Sequence, residues 1–297
     1  RSIYLEEDRI DEYSAYVRGL KDKVSIAPSE TEQLGFLSAE RKYRRRQPDA
    51  RRDLEAYLER YPQGSDRHKA ELYLADLDYQ AGNADAAYNR YSRLVNSPGL
   101  PEDYKIDARL RLGRMQYERK EYKAALQSFQ SVLDTDGAEA VRDQAVQGVT
   151  ESAYADKDYR RVIDVIAGLK NQAALPHTLR LYRAKSYQAL KMNREAIAVY
   201  ELLAEDFSTA TGAEAVVMQA QLEMEAKRLS KAKFILEKFI AKSTPQQYWL
   251  ARGFILLSDI YKKEGDTFTA RQYLESLEKN YPNYEDDFHE QIALRLE

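Results

Sequence analysis

The sequence contains no cysteine, which excludes disulfides, thiol nucleophiles and thiolate metal sites but leaves the redox compartment open. Glycine (12) and proline (8) are few for 297 residues, and a chain so poor in breakers reads as mostly helical. Long apolar runs are missing too: "FILL" (Phe254 to Leu257) is typical of the longest, against the roughly 18–20 residues a membrane span needs. No charge dominates, with 46 Lys+Arg against 49 Asp+Glu, so the totals do not favour a dedicated polyanion binder. There is no signal sequence. The chain begins at Arg1 rather than Met, which points to a fragment or a processed form, so absent targeting says nothing about the native protein.

Catalytic signatures are equally sparse. His68, His177 and His289 lie far apart, with no His, Asp or Glu partner at ligand spacing, and no metal site is expected. No glycine-rich phosphate loop follows a strand, and no strand alternation is evident. Carboxylate pairs such as "LEED" and "YEDDF" read as solvated helix faces. Neither enzymatic activity nor a cofactor is expected, and binding is the class that remains.

What the chain does have is apolar content of 43%, enough for a core, and 23 tyrosines against 8 Phe and 1 Trp. A tyrosine packs its ring while its hydroxyl stays wet or bonded. It also has a repeat. "ELYLADLDYQAGNADAAYNRYSRLV" and "ARLRLGRMQYERKEYKAALQSFQSVL" share a small residue, an aromatic four later, a turn, a second small residue, and an aromatic four after that. The first small position falls at Ala39, Ala75, Gly113, Thr150, Ala184, Ala220 and Ser258, with gaps of 36, 38, 37, 34, 36 and 38. The second falls at Ala87, Ala125, Val162, Ala196, Ala232 and Ala270, the first copy being ambiguous between Ala50 and Arg51. Tyr91, Phe129, Ile166, Tyr200, Leu236 and Leu274 follow four later. Two antiparallel helices approach closely only where small residues sit at the contact, and one such hairpin cannot bury both faces, so neighbours must stack.

A period near 34 with this arrangement resembles the tetratricopeptide repeat (TPR) family. The pattern is carried by Leu112, Gly113, Tyr117, Ala125 and Phe129; by Ala75, Tyr79, Gly82, Ala87 and Tyr91; and by Ser258, Tyr261, Gly265, Ala270 and Pro282. The Trp that opens the family pattern is absent from most copies. Segments such as "TPQQYWLARGFILLSDIYKKEGDTFTARQYLESLEKNYP" further resemble the C-terminal part of large envelope-associated TPR proteins of Bacteroidetes. The resemblance implies an all-α, right-handed α-solenoid of about seven TPR helical hairpins with a C-terminal capping helix. The expected layout is an N-terminal helix and linker over 1–29, the array over 30–283 and the cap over 284–297. It also implies a periplasmic or outer-membrane-associated location, which the chain itself does not signal, and a protein or peptide partner rather than a small-molecule substrate.

In such an array the first helix of each hairpin lines the groove, through positions one and four after the first small residue and three and six before it. That frame predicts Lys69, Leu72, Asp76 and Tyr79, then Asp107, Leu110, Arg114 and Tyr117, then Glu151 and Tyr154, Lys185 and Gln188, and Gln221 as partner-binding residues. Tyr79, Tyr117 and Tyr154 would form a ladder, each offering a large contact area at small entropic cost, or would simply pack between neighbouring first helices. The Lys/Asn/Arg clamp that some relatives use for a terminal carboxylate is not present in order. Trp249 reads as inter-repeat packing.

One stretch stands apart. Between Arg41 and Arg52 seven of twelve residues are basic and Asp49 is the only acid. Arg44, Arg45, Arg46, Arg51 and Arg52 are an alternative patch for an anionic partner, nucleic acid included. Against that, "RRRQPDA" falls at the turn inside the first hairpin, with Pro48 near the N1 position of the second helix and Glu55 and Glu59 able to pair with Arg51. A purely structural spacer within a larger repeat protein is the third reading.

Overall fold

A computed structural model describes residues 4, 9–20, 28–172, 174–242, 244–282 and 287–296. Every regular element among the described residues is helical. The chain groups into two compact units, Arg1–Ser152 and Ala153–Glu297. In the first unit α1 (Ile10–Gly19) precedes the hairpins α2–α3 (Pro28–Arg44, Ala50–Arg60), α4–α5 (Arg67–Gln80, Ala84–Val95) and α6–α7 (Glu102–Glu118, Tyr122–Leu133). Helix α8 (Arg142–Ala155) contains the division between the units. The second unit holds α9 (Tyr159–Ala167), then α10–α11 (His177–Ala189, Asn193–Leu203), α12–α13 (Ala210–Glu225, Leu229–Lys242), α14–α15 (Gln247–Glu264, Thr267–Asn280) and α16 (Phe288–Leu296). Helix α2 starts at Pro28, while residues 21–27 and the expected boundary at 283/284 lie outside the described residues.

The small-residue frame is the core of both units. Ala39, Ala75, Gly113 and Thr150 are buried in the first, and Ala184, Ala220 and Ser258 in the second. Their partners Ala87, Ala125, Val162, Ala196, Ala232 and Ala270 are buried as well, and so is every large residue four positions on. Ala50 is buried where Arg51 is not, so Ala50 is the second small position of the first hairpin. Pro48 does not open α3: the helix begins at Ala50 after Asp49, and Pro48 sits in the preceding turn. Of the repeat tyrosines, Tyr91 donates to Asp76 and Tyr200 to Gln188 (2.8 Å), so each buried ring keeps its hydroxyl bonded.

Each hairpin turns through one left-handed residue: Arg46, Gly82, Lys120, Lys157, Lys191, Lys227 and Gly265, at φ of 54°, 79°, 63°, 64°, 61°, 61° and 90°. Each lies seven positions after the first small residue, so the turns repeat with the frame. The residue after each donates its N–H five back, as Gln47 does to Lys42 (2.9 Å) and Met192 to Tyr187 (2.9 Å), the six-to-one bond of a Schellman ending. Only two of these positions carry the glycine that the conformation favours. The left-handed region costs a residue with a Cβ about 1–2 kcal/mol, and glycine's extra unfolded-state freedom offsets roughly half of that. Lys191→Gly, at an exposed turn, is therefore expected to stabilise the protein by about 0.5–1 kcal/mol in urea unfolding. A lowered midpoint would contradict this reading of the turn.

At the C-terminal end Phe288 and Ile292 of α16 bury against Leu274, Leu277 and Tyr281, and Arg295 reaches back to Asp259 with two bonds (2.9 and 3.2 Å). Trp249 packs edge-on to Tyr248 and against the apolar cluster of α12 and α13.

Candidate functional site

The groove-facing positions of the first unit are largely engaged with one another. Lys69 on α4 bonds Glu40 on α2 (2.7 Å) and lies over the Phe36 ring. Burial works to raise the Glu40 carboxyl, but bonds from Lys69, Tyr73 and Arg44 outweigh it and hold its pKa below the ordinary carboxylate value. Arg114 on α6 pairs with Glu151 on α8 (3.0 Å), and Asp107 accepts from Arg111 (3.3 Å).

Asp76 departs most from the sequence expectation. It is only 2% exposed, accepts from Tyr43 (2.6 Å) and from Tyr91, and forms an ion pair with Arg111 (2.9 Å). Rather than offering a free carboxylate to a ligand, it knots α2, α4, α5 and α6 together. Leu72 is likewise buried in the core and not in the groove. The reason is geometric. The position after the small residue also faces the next hairpin's first helix, and a carboxylate there meets that helix's guanidinium before it meets a ligand.

Tyr79 is the exposed ring of the predicted ladder, at 43%, with its hydroxyl on Glu118 (3.3 Å). Tyr117 is half-buried, tilted against Tyr122 at 5.5 Å, and burial pushes its phenol up. In the second unit Tyr154 sits between Tyr159 (5.4 Å) and Tyr182 (5.1 Å), Lys185 bonds Glu214 (2.5 Å), Gln188 accepts from Tyr200, and Gln221 donates to Glu225 (3.1 Å). Tyr79 and Tyr117 thus belong to the first unit, while Tyr154 serves packing in the second.

A cavity of about 510 Å³ opens in the first unit and gathers Tyr79, Asp107, Leu110 and Arg114 from the predicted set. Met115, Phe129, Tyr91 and Val141 make its apolar depth. Arg111, Gln144 and Gln147 complete the rim and were not picked out from the sequence. The two glutamines were within reach of the frame, lying six and three positions before Thr150. Arg111 follows no groove offset, and its place depends on Asp76. The Phe129 ring is held between two glycines: a Cβ added at Gly113 would stand 3.0 Å from it, and one at Gly148 2.5 Å.

The basic turn is mostly neutralised. Lys42 bonds Asp49 (2.8 Å) and Asp53 (2.5 Å), Arg52 pairs with Asp53 (3.1 Å) and Asp49 (3.4 Å), and Arg44 bonds Glu40 (3.0 Å). Arg51 reaches Asp78 (2.8 Å) and Glu55 (3.6 Å). The Arg46 side chain makes no bond to any described residue.

The tetratricopeptide repeat family pattern matches residues 107–136, 179–210 and 248–284, which coincide with the hairpins α6–α7, α10–α11 and α14–α15. The chain contains tetratricopeptide repeats. The hairpins outside those matches carry the same small-residue frame and the same left-handed turn. No curated protein matches the chain in sequence. In fold it is similar to the C-terminal part of a TPR repeat-containing protein from Cytophaga hutchinsonii, at 13% identity and a TM-score of 0.65, over 88% of this chain and 99% of that one. A TPR protein from Parabacteroides merdae matches at 14% and 0.51, over 90% and 98% of the two chains. The apo form of RapI matches at 14% and 0.55, over 94% and 85%.

Proposed function

We propose that the chain is a non-enzymatic scaffold that holds a segment of a protein partner in the groove of its TPR first helices. The cavity of about 510 Å³ carries this reading. It has an apolar depth for an anchoring side chain and a rim of arginine, glutamine and tyrosine for the segment's backbone and polar groups, the mix found at binding hot spots. Because the other groove charges are satisfied between hairpins, recognition rests on shape and on Tyr79 more than on charge. Nucleic acid is disfavoured by the acids that hold Lys42, Arg51 and Arg52. A bacterial cell-envelope location of the Bacteroidetes type is part of the proposal on sequence resemblance alone.

The test uses peptides selected by display on the purified chain. Leu110→Trp fills the cavity and is expected to weaken a selected peptide at least about tenfold, an indole being large enough to exclude the anchor. Gln127→Ala, on the exposed face of α7, should leave binding unchanged. Equal affinity for the wild type and Leu110→Trp would move the site elsewhere.

A further inference from the structure

A second hollow, of about 470 Å³, opens at the turn end of the first two hairpins. It lies between the end of α2, the turn that follows, the start of α3 and the end of α4. Arg44, Arg46 and Arg51 converge on it together with Gln47 and Gln80, and none of its lining residues is acidic. Pro48, Leu77 and Ala81 supply apolar wall. Three acids stand behind the lining arginines, Glu40 on Arg44 and both Asp78 and Glu55 on Arg51. Glu40 and Asp78 are shared with further cations, Lys69 and Arg90, so the five cations outnumber the three acids and the hollow stays positive overall. Arg46 is exposed, and its guanidinium bonds no described residue.

We propose that this hollow binds a phosphate monoester. A guanidinium presents paired N–H donors that match phosphate oxygens, and an exposed arginine keeps all of its donors for a ligand. The carboxamides of Gln47 and Gln80 add donors for the remaining oxygens, and the wall of Leu77, Pro48 and Ala81 suits the esterified carbon portion. The volume exceeds a bare phosphate and falls in the range of small-ligand sites. A nucleic-acid strand needs cations spread along a path, whereas these converge on one point and their neighbours Lys42 and Arg52 are held by Asp49 and Asp53. The site is separate from the groove and stands whether or not the groove binds a peptide. The phosphate belongs either to a free metabolite or to a lipid headgroup.

Calorimetric titration of the full chain with glycerol 3-phosphate at low salt tests the proposal. Saturable binding is expected, weakened at least about tenfold in Arg46→Gly and by an intermediate factor in Arg46→Lys, which keeps the charge but not the fork. Arg46→Gly suits the purpose because the residue is left-handed, like Gly82 and Gly265 at the equivalent turns, so the fold is kept while the guanidinium is lost. Vesicles containing phosphatidic acid separate the sources. Co-sedimentation that Arg46→Gly abolishes assigns the phosphate to a headgroup, and calorimetric binding without co-sedimentation assigns it to a free ester. Binding of neither probe, or equal affinity of wild type and Arg46→Gly, overturns the proposal. So does single-stranded DNA that binds at low salt and that the ester cannot displace.

Discussion

Replacing Asp76 by alanine is expected to cost about 3–5 kcal/mol of stability, the range for removing one partner of a buried ion pair. The carboxylate accepts from two tyrosine hydroxyls and pairs with a guanidinium, and these arrive on three other helices. Without it, Tyr91 keeps a buried donor with no acceptor, and Arg111 is left with Asp107 as its remaining counter-charge. An unmade bond at a buried group costs its full desolvation, which exceeds the modest net gain of making it. Asp76→Asn keeps the shape but turns one acceptor into a donor facing donors, so it should recover only part of the loss. Unfolding in urea followed by circular dichroism reads both variants. An Asp76→Ala midpoint equal to that of the wild type would mean that the knot contributes nothing net.

Gly148→Ala is the second large effect, at about 2–3 kcal/mol, toward the upper end of the usual overpacking cost. The new Cβ would fall 2.5 Å from the Phe129 ring, and the ring's other side is close to α6, where a Cβ built at Gly113 would stand 3.0 Å from it. The backbone of α8 or the ring must shift to relieve the contact. Phe129→Leu in the same chain removes the conflicting atoms. The double variant should therefore be more stable than the sum of the two single changes allows, since the residues touch and their effects couple. Strict additivity would show that the glycine is not there to make room for the ring. Because Phe129 also lines the cavity, Gly148→Ala should weaken peptide binding as well.

These two sites mark where reading the sequence stopped. The frame itself was plain. Ala75, Gly113 and Ala125 sit at helix contacts that accept nothing larger, and that demand recurs at a fixed spacing which can be counted. The large residues four positions on followed from the same geometry. Asp76 was placed in the groove because the rule for its position is local, whereas its burial depends on Tyr43 and Arg111, each more than thirty residues away. Lys120, Lys157, Lys191 and Lys227 gave no sign of a left-handed turn, since lysine is the commonplace residue of an exposed helix end; Gly82 and Gly265 at the equivalent positions were the only pointers. The basic turn was correctly placed between two helices, but its partition into paired cations and the unbonded Arg46 rests on acids such as Asp78 from the next hairpin.

The most direct measurement of where a partner sits is hydrogen–deuterium exchange of the chain with and without a selected peptide. The expected result is protection of α4 and α6 around Tyr79, Leu110 and Arg114 and of α8 around Gln144, with α5 and α7 unchanged apart from the buried neighbourhood of Phe129. Protection confined to the exposed faces of α5 and α7, with the cavity rim exchanging as in the free chain, would contradict the groove as the binding site.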